Sequence, residues 1–462
     1  MSTDSATKRP ADESAVGLSQ PKRDWMGTAM RVMTTISGSD FAERYRLRKP
    51  LARMTYEGTR SGFRTLGAAT RAFEKVSGGG TPKRLTDSST ARKDYFDLTP
   101  DAEQQMIVDT VTEFAAEILR PAAHDADRAA AAPADLVGRA AELGITLINV
   151  PEEFAGAATE RGAVTNALVA EALSHGDMGL ALPILAPNGV AVALTQWGSA
   201  AQQQTYLPAF AGEHVPQASV VIGEPQPLFD PFALRTKATR SPSGYRLNGV
   251  KSMVPAAGAA ELFIVAAERD GRPALFLVES DSPGLSVEAD PSMGLRAAGL
   301  GRLILDDVAV TATAVLGDGA DPDGRAGDYA DAVRLARLGW AAMAAGTGRA
   351  VLDYVIPYVK ERQAFGEPIS NRQAVAFAVA DIAIELDGLR LVMLRGASRA
   401  EQGLSFAREA ALARKLATDK GMRIGLDGVQ LLGGHGYTKE HPVERWYRDL
   451  RAIGVAEGVV LI

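Results

Sequence analysis

Three long stretches of this chain differ in how their apolar residues are spaced. Over residues 99–215, apolar positions recur three or four apart, which is the period of an amphipathic helix. Residues 217–312 alternate apolar and polar positions between Gly, Pro and Asp, which predicts strands. Residues 326–450 return to helical spacing. Helices, then strands, then helices predict an α+β fold and not alternating βαβ units.

Several elements within these stretches are predicted individually. Thr99 is placed to cap the first helix, with Pro100 at the first helical position. Strands are predicted over residues 245–249 and 262–267, and long helices over residues 329–358 and 372–402.

The N-terminal extension before this body is basic. Residues 1–25 are rich in Ser, Lys, Asp and Pro, which predicts disorder, and residues 25–76 predict short amphipathic helices. Residues 1–95 contain 18 Lys and Arg against 10 Asp and Glu, although the whole chain has a net charge of −6. A basic arm on an acidic body suits a partner subunit or an anionic membrane, and we expect no nucleic acid.

Length and composition limit the remaining possibilities. A chain of 462 residues is too long for one core, and we predict a basic extension, a helical domain, a β domain and a helical bundle. Their predicted bounds are 1–94, 95–215, 216–325 and 326–462. No uninterrupted apolar run reaches the roughly 18 residues that span a bilayer. The chain has no cysteine, which excludes disulfides and thiolate zinc sites and favours a cytoplasmic location. Its five histidines show no metal-ligand spacing, so no metal is predicted.

Two glycine-containing motifs near the C-terminus indicate a phosphate-bearing ligand. In Arg362-Gln363-Ala364-Phe365-Gly366, the arginine can bind a pyrophosphate and the phenylalanine can cover a ring system. In Gln430-Leu431-Leu432-Gly433-Gly434, the two glycines let backbone amides approach phosphate closely. Taken alone, the first motif is typical of a helix end and the second of a flexible turn. Gln373 follows the first motif, and Arg445, Arg448 and Asp449 follow the second.

With Ala456-Glu457-Gly458-Val459, these motifs resemble the C-terminal domain of the acyl-CoA dehydrogenases, and the resemblance covers about residues 95–462. It implies a fold of N-terminal helical domain, central β domain and C-terminal four-helix bundle. It also implies FAD as cofactor, an acyl-CoA substrate and an electron-transfer flavoprotein as acceptor. By the same resemblance, one group of residues reaches across a dimer interface to the partner's FAD: Arg362, Phe365, Gln373, Gln430, Gly433 and Gly434.

The positions that would hold this chain's own flavin depart from the family pattern. Gly223 stands where the family has a hydroxyl residue, and Leu228-Phe229 replaces a Gly-Ser pair. Met253 replaces the Trp that stacks on the flavin, and Pro255 replaces a Thr that bonds its edge. Proline has neither a hydroxyl nor an N–H to offer. Four changes around one ligand indicate a site that is closed or no longer used.

The resemblance places Glu457 where the family has its catalytic base, which removes the α-proton of the thioester. Its neighbours are Ala456 and Val459 where the family has Tyr and Thr, so an inherited Glu without a catalytic role is the alternative. The family's other position for the base is occupied by Ala336. Tyr56-Glu57-Gly58-Thr59 spells the family tetrapeptide in the extension, and we interpret that match as chance.

Three functions remain open from sequence. The first is one subunit of an α2β2-like heteromer, resembling split actinobacterial enzymes, whose paralogous partner supplies the intact flavin pocket and the base. The second is a conventional homotetrameric acyl-CoA dehydrogenase that uses Glu457. The third is an inactive scaffold whose basic extension docks a membrane or a protein.

Overall fold

The computed structural model describes residues 99–159, 161–212, 214–317 and 322–462. The predicted 1–94 segment lies outside these residues, as does the tetrapeptide Tyr56–Thr59. Within the described residues the predicted order of helices, sheet and helices is confirmed.

The N-terminal part is helical. Its first helix is capped by Asp101, whose carboxylate accepts from the backbone N–H of Glu103 and of Gln104. The prediction that Thr99 caps this helix with Pro100 following is wrong, because Gln104 completes a capping box only with Asp101. The helices are α1 (Ala102–Phe114), α2 (Arg120–Ala129), α3 (Leu136–Glu142), α4 (Ala163–Gly176), α5 (Met178–Trp197) and α6 (Ala200–Phe210), with a π-helical turn, Ala115–Leu119, between α1 and α2.

Helix α5 is the central core helix of this part. By length and composition it could cross a membrane, the one such helix among the described residues, but 94% of its apolar window is buried inside the fold. Asp177 caps it by accepting from the N–H of Leu180. A helix that is apolar on all sides and buried inside the fold is a core helix.

A seven-stranded sheet follows the helices. The strands are β1 (Ala218–Val221), β2 (Lys237–Ser241), β3 (Gly244–Val254), β4 (Leu262–Arg269), β5 (Arg272–Glu279), β6 (Leu285–Ala289) and β7 (Gly301–Thr311). Their order in the sheet is β1-β4-β2-β3-β7-β6, with β5 paired to β4. The β1–β4 pair is parallel and places Val220 opposite Ile264. The strands predicted over 245–249 and 262–267 lie in β3 and β4.

The C-terminal part is built from long helices. The elements are α7 (Pro322–Glu361), β8 (Gln363–Ala364), β9 (Glu367–Pro368), α8 (Gln373–Glu401), α9 (Ala407–Leu432) and α10 (Val443–Ala452). The helix predicted over 329–358 lies in α7, and the helix predicted over 372–402 matches α8 within one residue at each end. The β8–β9 hairpin joins α7 to α8, and a 3-10 turn, Gly433–Tyr437, joins α9 to α10.

Candidate functional site

An open cleft of about 570 Å³ lies between the β8–β9 hairpin, the start of α8 and the end of α9. We call it the C-terminal cleft. Five of the six residues predicted to contact a cofactor line it, although they come from two motifs far apart in sequence: Arg362, Phe365, Gln430, Gly433 and Gly434. The sixth, Gln373, is the first residue of α8 and does not line the cleft, whereas its neighbours Arg372 and Ala374 do. The assignment of these residues to a cofactor stays a prediction.

The hairpin holds an aromatic ring out toward solvent. Phe365 has φ 58° and Gly366 has φ 85°, so the turn uses the left-handed region at both residues. The side chain of Phe365 is 94% exposed, and the guanidinium of Arg372 lies 5.5 Å from its ring centroid. A strained backbone and an exposed large aromatic side chain are features that mark binding surfaces.

The turn after α9 leaves room at its two glycines. Gly433 has φ 59°, and a Cβ at Gly433 or Gly434 would meet nothing within 4 Å. Gly436 differs, because a Cβ there would lie 2.3 Å from the backbone oxygen of Val429. Gly436 is therefore required by packing, while the first two glycines leave backbone open to a ligand. Arg362 lines the same cleft, so the cleft fits a diphosphate such as that of FAD.

The second region is where the resemblance places this chain's own flavin ring and base, and we call it the ring region: Gly223, Met253, Pro255 and Glu457. The structure brings these segments together. The backbone N–H of Ser252 donates to the carbonyl of Gly223 over 3.0 Å. A Cβ on Gly223 would lie 4.0 Å from the backbone oxygen of Glu457. Neither Gly223 nor Pro255 supplies a side-chain hydroxyl, so the ring region does not fit the flavin that the family pattern binds here.

A buried ion pair lies beside the ring region. Lys251 Nζ is 2.9 Å from Glu224 Oε1 and donates to the carbonyl of Ile222 over 3.2 Å. Glu224 also accepts from the backbone N–H of Arg235 and Thr236. Burial lowers the pKa of Lys251 to about 8, although the Glu224 carboxylate acts in the opposite direction. Because every partner is internal, the pair has a structural role.

The carboxylate of Glu457 is engaged by two arginines. Arg337 binds it with both Nε and Nη2, at distances of 2.8 to 3.2 Å, and Arg414 Nη2 lies 3.4 Å from Oε1. The Glu457 side chain is only 5% exposed. A general base must reach the proton that it removes. Both oxygens of the carboxylate are bound by Arg337, so the side chain is paired within the fold, and its assignment as the catalytic base stays a prediction.

Sequence reasoning missed both arginines. Arg337 directly follows Ala336, the family's other position for the base, and Arg414 lies on α9. Nothing in the local pattern of either helix shows that the two guanidinium groups meet at one carboxylate.

Residues 458–462 fill the space between α5, α7 and β1. The N–H of Val459 donates to the carbonyl of Val220 over 2.8 Å, and Trp340 Nε1 donates to the carbonyl of Gly458 over 2.9 Å. Residues Val459 to Ile462 are all buried. The facing helices make room for this backbone with glycines, because a Cβ at Gly189 or Gly339 would lie about 2 Å from a carbonyl oxygen of the segment. Residues 458–462 therefore pack closely against α5 and α7 at positions that only glycine can occupy.

Two residues of the altered flavin motifs have a positive φ, which is typical of glycine. Leu228, which stands where the family has glycine, has φ 52°, and its side chain is fully exposed. Met253, which stands where the family has tryptophan, has φ 57° and donates its N–H to Asp290. Positive φ is uncommon for residues with a side chain. Both residues therefore have an unusual backbone and none of the side-chain chemistry of the family pattern.

Comparison with known proteins identifies the family. Sequence models of the acyl-CoA dehydrogenase N-terminal, middle and C-terminal domains match residues 101–214, 219–308 and 330–460. A probable acyl-CoA dehydrogenase of Bacillus subtilis, YngJ, is 33% identical over 373 residues, which are 79% of this chain and 96% of that protein. The mitochondrial short-chain specific acyl-CoA dehydrogenase of Bos taurus is 31% identical over 362 residues, covering 77% of this chain and 86% of that protein.

Solved structures agree. Butyryl-CoA dehydrogenase from Megasphaera elsdenii matches with a TM-score of 0.72 and 29% identity, over 79% of this chain and 96% of its own. A glutaryl-CoA dehydrogenase from Mycobacterium smegmatis, in complex with FADH2, matches with a TM-score of 0.69 and 25% identity, over 77% of this chain and 90% of its own. A structure described as the electron transferring flavoprotein of Acidaminococcus fermentans matches with a TM-score of 0.71 and 30% identity, over 79% of this chain and 96% of its own. This chain belongs to the acyl-CoA dehydrogenase family, FAD-dependent oxidoreductases that act on the CH–CH bond of acyl-CoA substrates.

Proposed function

We propose that this chain is the non-catalytic subunit of a heteromeric acyl-CoA dehydrogenase and contacts its partner's cofactor through the C-terminal cleft. A paralogous subunit would supply an intact flavin pocket and the catalytic carboxylate. The reaction is the α,β-dehydrogenation of an acyl-CoA thioester, for which bound FAD supplies the hydride acceptor.

The observation that carries this proposal is the opposite state of the two regions. The C-terminal cleft is open and has an arginine and two unobstructed glycines on its walls. The ring region lacks the hydroxyl groups of the family pattern, and its carboxylate is bound by Arg337 and Arg414. A chain that serves a neighbour's flavin needs the first region and not the second.

The contribution of this chain is then positional. Arg362 would pair with the diphosphate of the partner's FAD, and the glycine turn would bring backbone close to the same group. Phe365 would cover an adjacent ring system of that cofactor. None of these residues exchanges a proton with the substrate. The base would be a carboxylate of the partner.

An exposed apolar stripe on the C-terminal helices supports a partner subunit. On α8, Phe377, Ile384 and Leu391 follow one another at seven-residue intervals and are 46–66% exposed. On α9, Met422 and Leu426 are 40% and 47% exposed. Seven residues are close to two helical turns, so the α8 side chains share one face. An apolar face of this extent favours burial against another protein.

The proposal also covers the electron acceptor, the cellular location and the basic extension. An electron-transfer flavoprotein is the acceptor expected for the family. We propose a cytoplasmic location, and for the basic extension a contact with the partner subunit, or alternatively with an anionic membrane.

The proposal is tested by replacing one carboxylate at a time in the co-purified heteromer. Glu457→Gln in this chain should leave acyl-CoA turnover within a factor of about three, because the proposed mechanism moves no proton through the side chain at this position. The matched Glu→Gln change in the partner should lower turnover by about 10² to 10⁴-fold, the usual contribution of a general base. Size-exclusion chromatography and flavin absorbance check that both variants stay assembled. Loss of turnover in Glu457→Gln with assembly and flavin intact would instead indicate a conventional enzyme that uses Glu457.

A further inference from the structure

Two of the five histidines meet at the junction between the 3-10 turn and α10, which their spacing in the sequence did not predict. One ligand atom each from His435, Glu440 and His441 lie within 4.8 Å of one another. The two imidazole rings have centroids 5.7 Å apart at an interplanar angle of 67°. His435 and Glu440 are exposed and His441 is half-buried, so the cluster is open to ions from solvent.

His441 is oriented from a neighbouring helix. The hydroxyl of Tyr354, on α7, lies 2.7 Å from His441 Nδ1. This hydrogen bond engages Nδ1 and leaves Nε2 as the ring nitrogen that can bind a metal. Tyr354 and Tyr358 make T-shaped contacts with the same ring, with centroids 5.9 and 5.8 Å away. Metal-binding histidines in proteins commonly have their second nitrogen fixed by a hydrogen bond of this kind.

We propose that His435, Glu440 and His441 form a binding site for a divalent transition-metal ion of the zinc class. Two imidazoles and one carboxylate are a ligand set that Zn²⁺ accepts, with the fourth position left to water. Ligands about 2 Å from one ion lie less than about 4 Å apart, so binding draws the three side chains slightly together. The exposed side chains of His435 and Glu440 have the freedom to make that adjustment.

The ion would link the 3-10 turn to the residues that precede α10. His435 also lines the C-terminal cleft, next to Gly433 and Gly434. A metal bound here therefore fixes the turn on which those glycines lie. This inference does not depend on the proposed function, because the three ligands and Tyr354 all belong to this chain.

The test is calorimetric titration of the protein, purified without a polyhistidine tag, with Zn²⁺ alone. We expect one ion per chain in the wild type and at least a 10-fold weaker affinity in His435→Gln and in His441→Gln. Tyr354→Phe removes only the hydrogen bond to His441 and should weaken binding by about 10-fold. His124→Gln is the matched control, since His124 is an exposed histidine outside the cluster.

A second measurement keeps the test valid if His441→Gln destabilises the fold. Cu²⁺ bound to the wild type should show nitrogen hyperfine coupling from two imidazoles, and His435→Gln should reduce it to one. His435 is exposed, so its replacement leaves the core intact. The proposal is overturned if the wild type binds no Zn²⁺, or if His435→Gln and His124→Gln bind it equally well.

Discussion

The C-terminal cleft and the ring region are in opposite states in this chain. In the cleft, an exposed Phe365 and unobstructed glycines keep a surface on which a ligand can lie. At the ring region, the Glu457 carboxylate is paired internally and the residues that follow it, 458–462, are buried. An unfilled buried cavity or an unpaired buried carboxylate would lower stability. Under the proposed function, the ring region is a ligand site that this chain has packed and paired internally, and the cleft is a site that it keeps open for a partner.

The largest expected effect on cofactor binding is at Arg362 in the heteromer. Arg362→Ala removes a charge-assisted hydrogen bond to the diphosphate, a bond of about 1.5–3 kcal/mol, so flavin affinity should fall by about 10 to 100-fold. Flavin retained after gel filtration measures this. Arg128→Ala is the control, since Arg128 is 75% exposed and does not line the cleft. Equal flavin retention in both variants would show that Arg362 in the cleft does not contribute to flavin binding.

The next effect is on stability at Glu457. Glu457→Ala leaves the guanidinium groups of Arg337 and Arg414 facing each other without their shared anion. Because both are largely buried, we expect the free energy of unfolding to fall by about 3 kcal/mol. Asp307→Asn is the control, because its pair with Arg246 is exposed and is worth about 1 kcal/mol or less. Chemical denaturation measures both variants, and an unchanged midpoint for Glu457→Ala would show that the carboxylate is not paired in solution.

A smaller effect is expected where the buried segment crosses α7. A Cβ at Gly339 would lie 2.1 Å from the backbone oxygen of Val460, so Gly339→Ala should destabilise by about 1–3 kcal/mol. Gly327 lies on the same helix with nothing within 4 Å of its Cβ position, and Gly327→Ala should stabilise by up to about 1 kcal/mol. Thermal unfolding of the two variants compares them directly. Similar midpoints would mean that residues 458–462 do not pack against α7.

The parts of the molecule that depend on short-range sequence patterns could be predicted from the sequence. Helical and strand spacing predicted the order of helices, sheet and helices, and two glycine-containing motifs predicted residues that share one cleft. The same local reasoning placed the first helix cap at Thr99, because it did not weigh the capping box that Asp101 forms with Gln104.

The remaining features depend on contacts between distant segments. Arg337 and Arg414 lie on different helices, and their meeting at Glu457 is a property of helix packing. The family resemblance groups Gln373 with the cofactor-contacting residues, but at the start of α8 it is Arg372 and Ala374 that line the cleft. His435 and His441 come together only because a 3-10 turn leads back toward α10. Such meetings require the tertiary structure.

Whether this chain holds a flavin of its own is measured by the flavin content per chain, from the visible absorbance of the protein purified alone and of its complex with the paralogous subunit. We expect a colourless protein alone and a yellow complex with about one flavin per two chains, since under the proposed function only the partner provides a flavin pocket. A yellow protein alone, with one flavin per chain, would contradict it.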